Sequence, residues 1–418
     1  MPTDAGTSAQ TVVEAAVETV ARDSYGRLIS FLAARCGDIA LAEDALSDAF
    51  VAALRSWPVR GLPDRPEAWL LAAAKNRLVD HARHERVQDE YAQAFTIAAR
   101  DAERAAASDD DFPDERLKLL FLCADPAINP DVHTPLMLQL VLGLDAATIA
   151  GAFLVSPATM SQRLVRAKAK IRDAGMTFEL PPAHELPQRI GAVTEAIYAA
   201  YWRGWEDVTG ADPRHKGLAD EAIWLARVLV RLMPDEPEPR GLLALMLHCE
   251  ARRAARRSAG GRYVPLSKQD VSLWRMPMVE EAERELATAA ERKRAGRFQL
   301  EAAIQSVHAE RARTGRIEWE AIARFYEALI LIAPTMGALV GRAAAVGEAR
   351  DAGAGLALLD ELDDASLDTH QPYWAVRAHL LARAGRARQA AVAYDRAIGL
   401  TEDDAVRRFL LDRRAEAS

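Results

Sequence analysis

Cysteine is scarce in this chain of 418 residues, and its three copies, Cys36, Cys123 and Cys249, lie far apart with no Cys-x-x-Cys spacing and no histidine cluster beside them. That scarcity and spacing argue against a redox or zinc role, and the three read as buried thiols. Aromatic residues make up only 6% of the chain and β-branched runs are few, whereas Ala, Leu and Arg abound; the balance predicts an all-α protein. No run approaches the roughly 20 apolar residues that span a bilayer, and no basic segment followed by an apolar stretch opens the chain, so the expectation is a cytoplasmic protein with no membrane partner. Catalytic signatures are missing as well. There is no G-x-x-x-x-G-K loop, no H-E-x-x-H and no Cys/His/Asp grouping, and His81, His84 and His248 stand singly in helical stretches as surface or core residues. The chain therefore reads as a non-enzyme without cofactor or metal.

What is present is a helix-turn-helix between Leu144 and Arg172, LDAATIAGAFLVSPATMSQRLVRAKAKIR. Ala150 stands where two crossing helices need a small residue, and Ile149, Phe153, Val155, Met160 and Leu164 supply the apolar positions that fold them together. Ser156-Pro157 opens the second helix with a capping hydroxyl and a proline at the first helical position, where the missing N–H costs nothing. Arg163, Arg166, Lys168, Lys170 and Arg172 then accumulate with no carboxylate before Asp173, a surface suited to phosphates. The net charge of −8 opposes long-range attraction to a polyanion. DNA binding by the isolated chain is thus expected to be weak.

Length predicts two to four units. Residues 1–10 read as a disordered tail, with helix beginning near Thr11. A second helix starts after Gly37 with Asp38 as N-cap and carries Ile39, Ala42, Leu46, Ala49, Phe50, Ala53 and Trp57 on one apolar stripe. Pro58, Gly61, Pro63 and Pro66 then break the chain before a helix from Pro66 to about Arg86. In that helix Lys75, Asn76, Val79, Arg83 and Arg86 share a face opposite Leu71, Ala74 and Leu78, while Trp57 and Trp69 suit core packing. Residues 89–112 form a polar linker and 113–178 a second helical module that ends with the helix-turn-helix. Residues 185–418 change to helical hairpins. In 374–401, Trp374, Ala378, Gly385, Ala390, Tyr394 and Ala397 fall on tetratricopeptide spacing; Ala222, Ala226, Leu229 and Pro234, and Tyr326, Leu329 and Pro334, match half-units. A degenerate TPR-like α-solenoid is expected, with a groove for a protein or peptide ligand. The run Arg252, Arg253, Arg256 and Arg257 beside Gly260-Gly261 reads either as an acidic-partner site or as a solvated helix end.

With those elements in order, residues 11–178 resemble bacterial RNA polymerase sigma factors of the extracytoplasmic-function type. DIALAEDALSDAFVAALRSWP with PEAWLLAAAKNRLVDHAR is similar to the family's region 2, and the helix-turn-helix to its region 4, with no region 3 between them. MPDEPEP at 233–239, GLLALMLHCEAR at 241–252, Gln269-Asp270 with Trp274, and FLCADPAINP at 121–130 look like the subgroup with a C-terminal tetratricopeptide-like extension. The chain departs from that subgroup at Ala124 and Asp125, where a cysteine and a histidine are commoner, and at Gly260-Gly261, where an acidic residue usually precedes glycine. The resemblance implies core RNA polymerase and promoter DNA as partners. Region 2 (11–88) would meet the polymerase through Glu43, Asp44 and Asp48. It would hold the −10 element through Lys75, Asn76, Val79, Arg83 and Arg86, with the Pro58–Arg65 loop receiving a flipped base. Region 4 (113–178) would read the −35 element through Thr159, Gln162, Arg163, Arg166 and Lys170. A helix-turn-helix regulator with a repeat-protein effector domain, never a polymerase subunit, explains the second module but leaves the 66–86 helix without a role.

Overall fold

The computed structural model describes residues 4–84, 115–153, 155–176, 178–206, 217–363 and 365–417. Those residues are helical throughout, apart from turns and one isolated antiparallel bridge between Arg257 and Tyr263. None of their helices is long and apolar enough to cross a membrane. The chain divides into two compact units, 1–228 and 229–418.

Unit 1 opens with α1 (Asp4–Cys36), α2 (Ile39–Arg60) and α3 (Pro66–His84), which pack on one another; α1 is helical from ahead of Thr11. The Asp38 carboxylate caps α2 as expected, accepting from the N–H groups of Ala40 (2.8 Å) and Leu41 (3.1 Å). Ile39, Ala42, Leu46, Ala49, Ala53 and Trp57 of the apolar stripe are buried, and Trp57 meets Trp69 edge-on at 5.5 Å. With Leu28, Ile29, Phe31 and Leu70 they make a core in which each large side chain contributes roughly 1.5–3 kcal/mol. Pro58 does not break α2. The helix runs on to Arg60 and stops at Gly61 (φ +85°), whose N–H returns to the Trp57 carbonyl. So close to the helix end, proline sacrifices a single bond of the ladder.

Four helices follow: α4 (Arg116–Cys123), α5 (Pro130–Leu142), α6 (Ala146–Ala152) and α7 (Pro157–Asp173). Ser156 Oγ accepts from the Thr159 N–H at 3.2 Å and caps α7. Ala150, Ile149, Met160 and Leu164 are buried where α6 and α7 cross. Phe153, expected in that core, is 37% exposed: it terminates α6 with its N–H turned back to Ile149 and Ala150, which carries its ring to the rim. Next come α8 (Leu186–Glu206), which packs on α4 and α5, and α9 (Leu218–Leu232), inside which the division between the units falls. Asp125, one of the departures from the family pattern, pairs at 3.0 Å with the mostly buried Arg189 of α8.

Unit 2 is built on α10 (Pro237–Ala251), whose residues from Gly241 to Ala251 are all buried. It packs on α11 (Met276–Glu291) and α12 (Arg297–Ala309). A Cβ at Gly241 would lie 2.6 Å from the Gln299 nitrogen, so only glycine permits that crossing. At its start Glu238 accepts from the N–H groups of Phe298 (3.0 Å) and Gln299 (3.3 Å), placing a carboxylate at the positive end of α12. After the single turn α13 (Arg311–Thr314) come α14 (Trp319–Ile332), α15 (Met336–Ala349), α16 (Ala352–Asp360), α17 (Gln371–Arg383), α18 (Ala387–Leu400) and α19 (Asp404–Glu416), each packed on the next in the chain from α14 to α19. The α17–α18 hairpin turns at Gly385 (φ +72°) and closes on Ala378, Ala390 and Ala397, each fully buried, with Tyr394 beside them.

Two sequence expectations need correction here. The Arg252–Arg257 run is not a solvated helix end: Arg252 is 9% exposed with Nη2 3.5 Å from Cys249 Sγ, Arg253 pairs with Glu250 at 2.8 Å, and Arg257 pairs with Asp403. Burial pushes Arg256 down to about 10. Cys123 and Cys249 are buried, but Cys36 is only half-buried at the end of α1, where its thiol donates to the Asp38 carbonyl at 3.0 Å. Burial pushes that thiol up to about 11, which keeps it protonated and unreactive.

Candidate nucleic-acid and partner interface

Three helix faces of unit 1 carry the residues singled out from the sequence. On α3, Leu71, Ala74 and Leu78 are buried, which turns Asn76 to solvent with Lys75 and Val79 half-exposed beside it. Arg86, the side chain of Arg83 and the whole of the expected linker at 89–112 lie outside the described residues. The last turn of α2 and the turn to α3 expose two apolar side chains, Val59 (85%) and Leu62 (47%). Neither was singled out from the sequence, although an apolar residue among Pro and Gly in a short loop is a readable signal. Trp57 is buried and Trp69 half-buried, so neither is an exposed stacking platform.

On α7, Met160, Leu164, Ala167 and Ile171 form the inner stripe. Thr159, Gln162, Arg163, Arg166 and Lys170 are consequently exposed, all five on the outer surface of the helix. Arg172 is exposed too and pairs with Asp173 at 3.2 Å. The five thus form a donor-rich face free to meet an anionic polymer, with its amino-terminal end carrying the shorter polar side chains.

The acidic strip on α2 is divided. Asp44 and Asp48 are exposed, Asp48 lying 3.6 Å from Arg77 on α3. Glu43 is engaged instead: its Oε2 takes Lys168 Nζ from α7 at 2.7 Å, both side chains about 15% exposed, and its Oε1 lies 3.4 Å from the Tyr25 hydroxyl. Burial, and secondarily Glu43, pushes the Tyr25 hydroxyl far above its ordinary range. Sequence gave no warning of this pair, whose members are 125 positions apart. The contact is one edge of a wider seam. Gly26 of α1 meets α5 so closely that a Cβ there would fall 1.7 Å from the Val141 carbonyl oxygen, and the Tyr25 ring lies against Gly143 (φ +67°) at the end of α5. From α8, Arg189 donates to the Phe121 carbonyl (3.2 Å) and Arg203 to that of Thr148 (2.7 Å). Among the described residues no group of three or more His, Cys, Asp or Glu side chains is arranged to hold a metal ion.

Residues 20–87 match the family model for sigma-70 region 2. The RNA polymerase sigma factor CarQ of Myxococcus xanthus is 32% identical over 157 residues, which cover 38% of this chain and 87% of that protein. The chain belongs to the sigma-70-like RNA polymerase sigma factors of the extracytoplasmic-function type. An uncharacterised protein of Rhizobium meliloti (strain 1021) is 37% identical over 364 residues, 86% of each chain, so the likeness there extends well beyond the stretch shared with CarQ. Residues 189–290 match a family of unknown function, DUF6596. That stretch holds α8 to α11 and the Arg252–Arg257 run. No solved structure matches. Membership of this family accounts for an all-helical protein with a sigma-factor-like role in transcription.

Proposed function

We propose that the chain is a promoter-selecting subunit that binds core RNA polymerase and starts transcription at −10 and −35 elements. One observation carries this: a region 2 match and, in the same compact unit, a second helix whose exposed face is Thr159, Gln162, Arg163, Arg166 and Lys170. Residues 11–88 act as region 2, with Asp44, Asp48 and Glu43 meeting a basic surface of the polymerase. Lys75, Asn76, Val79, Arg83 and Arg86 hold the unstacked strand. The exposed Val59 and Leu62 line the place where a flipped base leaves water, since an extruded base must find an apolar or stacking neighbour. Residues 113–178 act as region 4, with the amino-terminal half of α7 at base edges and Lys170 at phosphates. Residues 185–418 form the TPR-like extension, which regulates the module in the same polypeptide; promoter-specific output unchanged by deleting them would refute that role.

The seam between α2 and α7 has a mechanical consequence for this function. Elements named −10 and −35 are centred about 25 base pairs apart, about 85 Å along a straight duplex at 3.4 Å per base pair. Helices joined by the Glu43–Lys168 pair cannot occupy both at once, so α7 leaves α2 before or during promoter binding. Opening also frees Glu43 to join Asp44 and Asp48. Mixing purified chain with core polymerase tests the first step: a complex that co-elutes and that Asp44→Arg with Asp48→Arg abolishes is expected, and separate elution would refute the proposal. A helix-turn-helix regulator outside the polymerase would elute separately and still bind DNA.

A further inference from the structure

The segment between α10 and α11 is irregular, yet polar tethers fix it firmly. Its Gly261 turn (φ +73°) brings Arg257 and Tyr263 into an antiparallel bridge. Arg257 then pairs with Asp403, Arg262 pairs with Asp412, and the Tyr263 ring meets Phe409 of α19 edge-on at 5.3 Å. Further along, Arg311 donates to the carbonyls of Leu266 (3.2 Å), Ser267 (3.0 Å) and Gln269 (2.7 Å). Arginines on both sides thus hold a stretch whose side chains from Pro265 to Lys268 are half-buried or exposed and contribute little core.

That stretch walls a cavity of about 270 Å³ over α17, α18 and α19. Its floor is apolar, made by Ala375, Tyr394, Phe409 and Leu410, and its rim carries Lys268, His379 and Arg413. His379 is taken up by Glu348 at 2.7 Å and Arg413 by Glu416. Among the described residues Lys268 has no carboxylate partner. The opening therefore presents one uncompensated positive charge beside an apolar chamber. An apolar floor gives a sugar or a free phosphate nothing to bond, and a single cation suits a single negative charge. The volume lies just under the usual 300–1,000 Å³ of sites for drug-sized ligands. Walls already fixed by the arginine tethers leave little ordering to oppose binding.

We propose that this cavity binds a small amphipathic carboxylate, its medium-chain or aryl body against Tyr394, Phe409 and Leu410 and its carboxylate facing Lys268. The site lies wholly in unit 2 and stands whether or not the chain selects promoters. Calorimetric titration of the full chain with octanoate, with octanamide as the uncharged counterpart, tests it. Saturable binding of octanoate at one site is expected, with octanamide weaker by about fivefold, the size of an exposed ion pair. Lys268→Gln, at an exposed position, should bring octanoate down to the octanamide level, and Ala375→Phe, which fills the chamber, should abolish both while the helical circular dichroism and melting temperature stay near those of the parent. If Ala375→Phe does not fold, Lys268→Gln still decides. No saturation with octanoate, equal binding of acid and amide, an unaltered affinity in Lys268→Gln, or tighter binding of a peptide carboxy-terminus than of octanoate would overturn the proposal.

Discussion

Lys168→Met separates two effects that a purely structural ion pair would keep together. Glu43 and Lys168 lie 2.7 Å apart and are about 15% exposed, between the exposed limit, where a pair is worth about 0–1 kcal/mol, and the buried limit, where removing one partner costs about 3–5 kcal/mol. The Tyr25 hydroxyl stays beside the stranded carboxylate at 3.4 Å and softens its isolation. A loss of about 1–3 kcal/mol follows, lowering the melting temperature of the free chain by about 2–4 °C per kcal/mol for a unit of this size. If the seam must open before the polymerase can bind, the same substitution removes part of the opposing free energy. Affinity for core polymerase should then rise by about 5- to 100-fold, at about tenfold per 1.4 kcal/mol. Fluorescence anisotropy of labelled chain titrated with core polymerase, without DNA so that no phosphate contact of Lys168 intervenes, measures it. A lower melting temperature with unchanged or weaker polymerase binding would refute the reasoning.

Other outcomes follow from the same geometry. Arg163→Ala should relax −35 preference, by about 1–3 kcal/mol at the base it reads, whereas Lys170→Ala should weaken all sequences alike and flatten the slope of log K against log salt by about 0.9; equal small effects on competing promoters would contradict these assignments. If about five phosphates are neutralised, that slope for the polymerase-bound chain should be roughly −4 to −5. Gly26→Ala should destabilise unit 1 by about 3 kcal/mol or more, because its Cβ meets backbone at Val141, not a movable side chain; an unchanged urea midpoint would show that α1 and α5 do not cross there. Burial pushes His248 down to about 3 and His308 down to about 4, against 6.5 in the unfolded chain. Although Glu283 lies 3.4 Å from His248 and favours the charged ring, burial outweighs it. The unfolded chain takes up these protons first, so stability holds above pH 6.5 and falls as the pH drops from there through about 4 for His308 and about 3 for His248. His248→Gln should flatten that acid limb in urea titrations at several pH values.

Much of the helical order was legible because its causes are local. A carboxylate at 38 and a hydroxyl at 156 cap the helices that follow them, and the α2 stripe, Ala150 at a crossing and Gly385 at a hairpin turn all act within a few residues of themselves. What escaped depends on partners distant in sequence. Lys168 sits among exposed arginines and lysines and reads as one more phosphate contact, yet it meets Glu43 across a fold that local pattern does not specify. Arg252 belongs to a run that reads as solvated, but the buried α10 carries it inward beside Cys249. Pro58 looked like a breaker because propensity takes no account of how near a helix already is to its end, and Phe153 looked like core because periodicity continues on paper past the turn that ends α6. The departure at Asp125, silent in sequence, acquires a reason once Arg189 is seen beside it.

Transcription of whole genomic DNA by core polymerase with and without the purified chain, with sequencing of the RNA 5′ ends, tests the central claim most directly. The account predicts a limited set of new start sites that share two upstream motifs at fixed spacing, that weaken with Asn76→Ala, and whose −35 motif loses definition with Arg163→Ala. Start sites no different from those of core polymerase alone would contradict it.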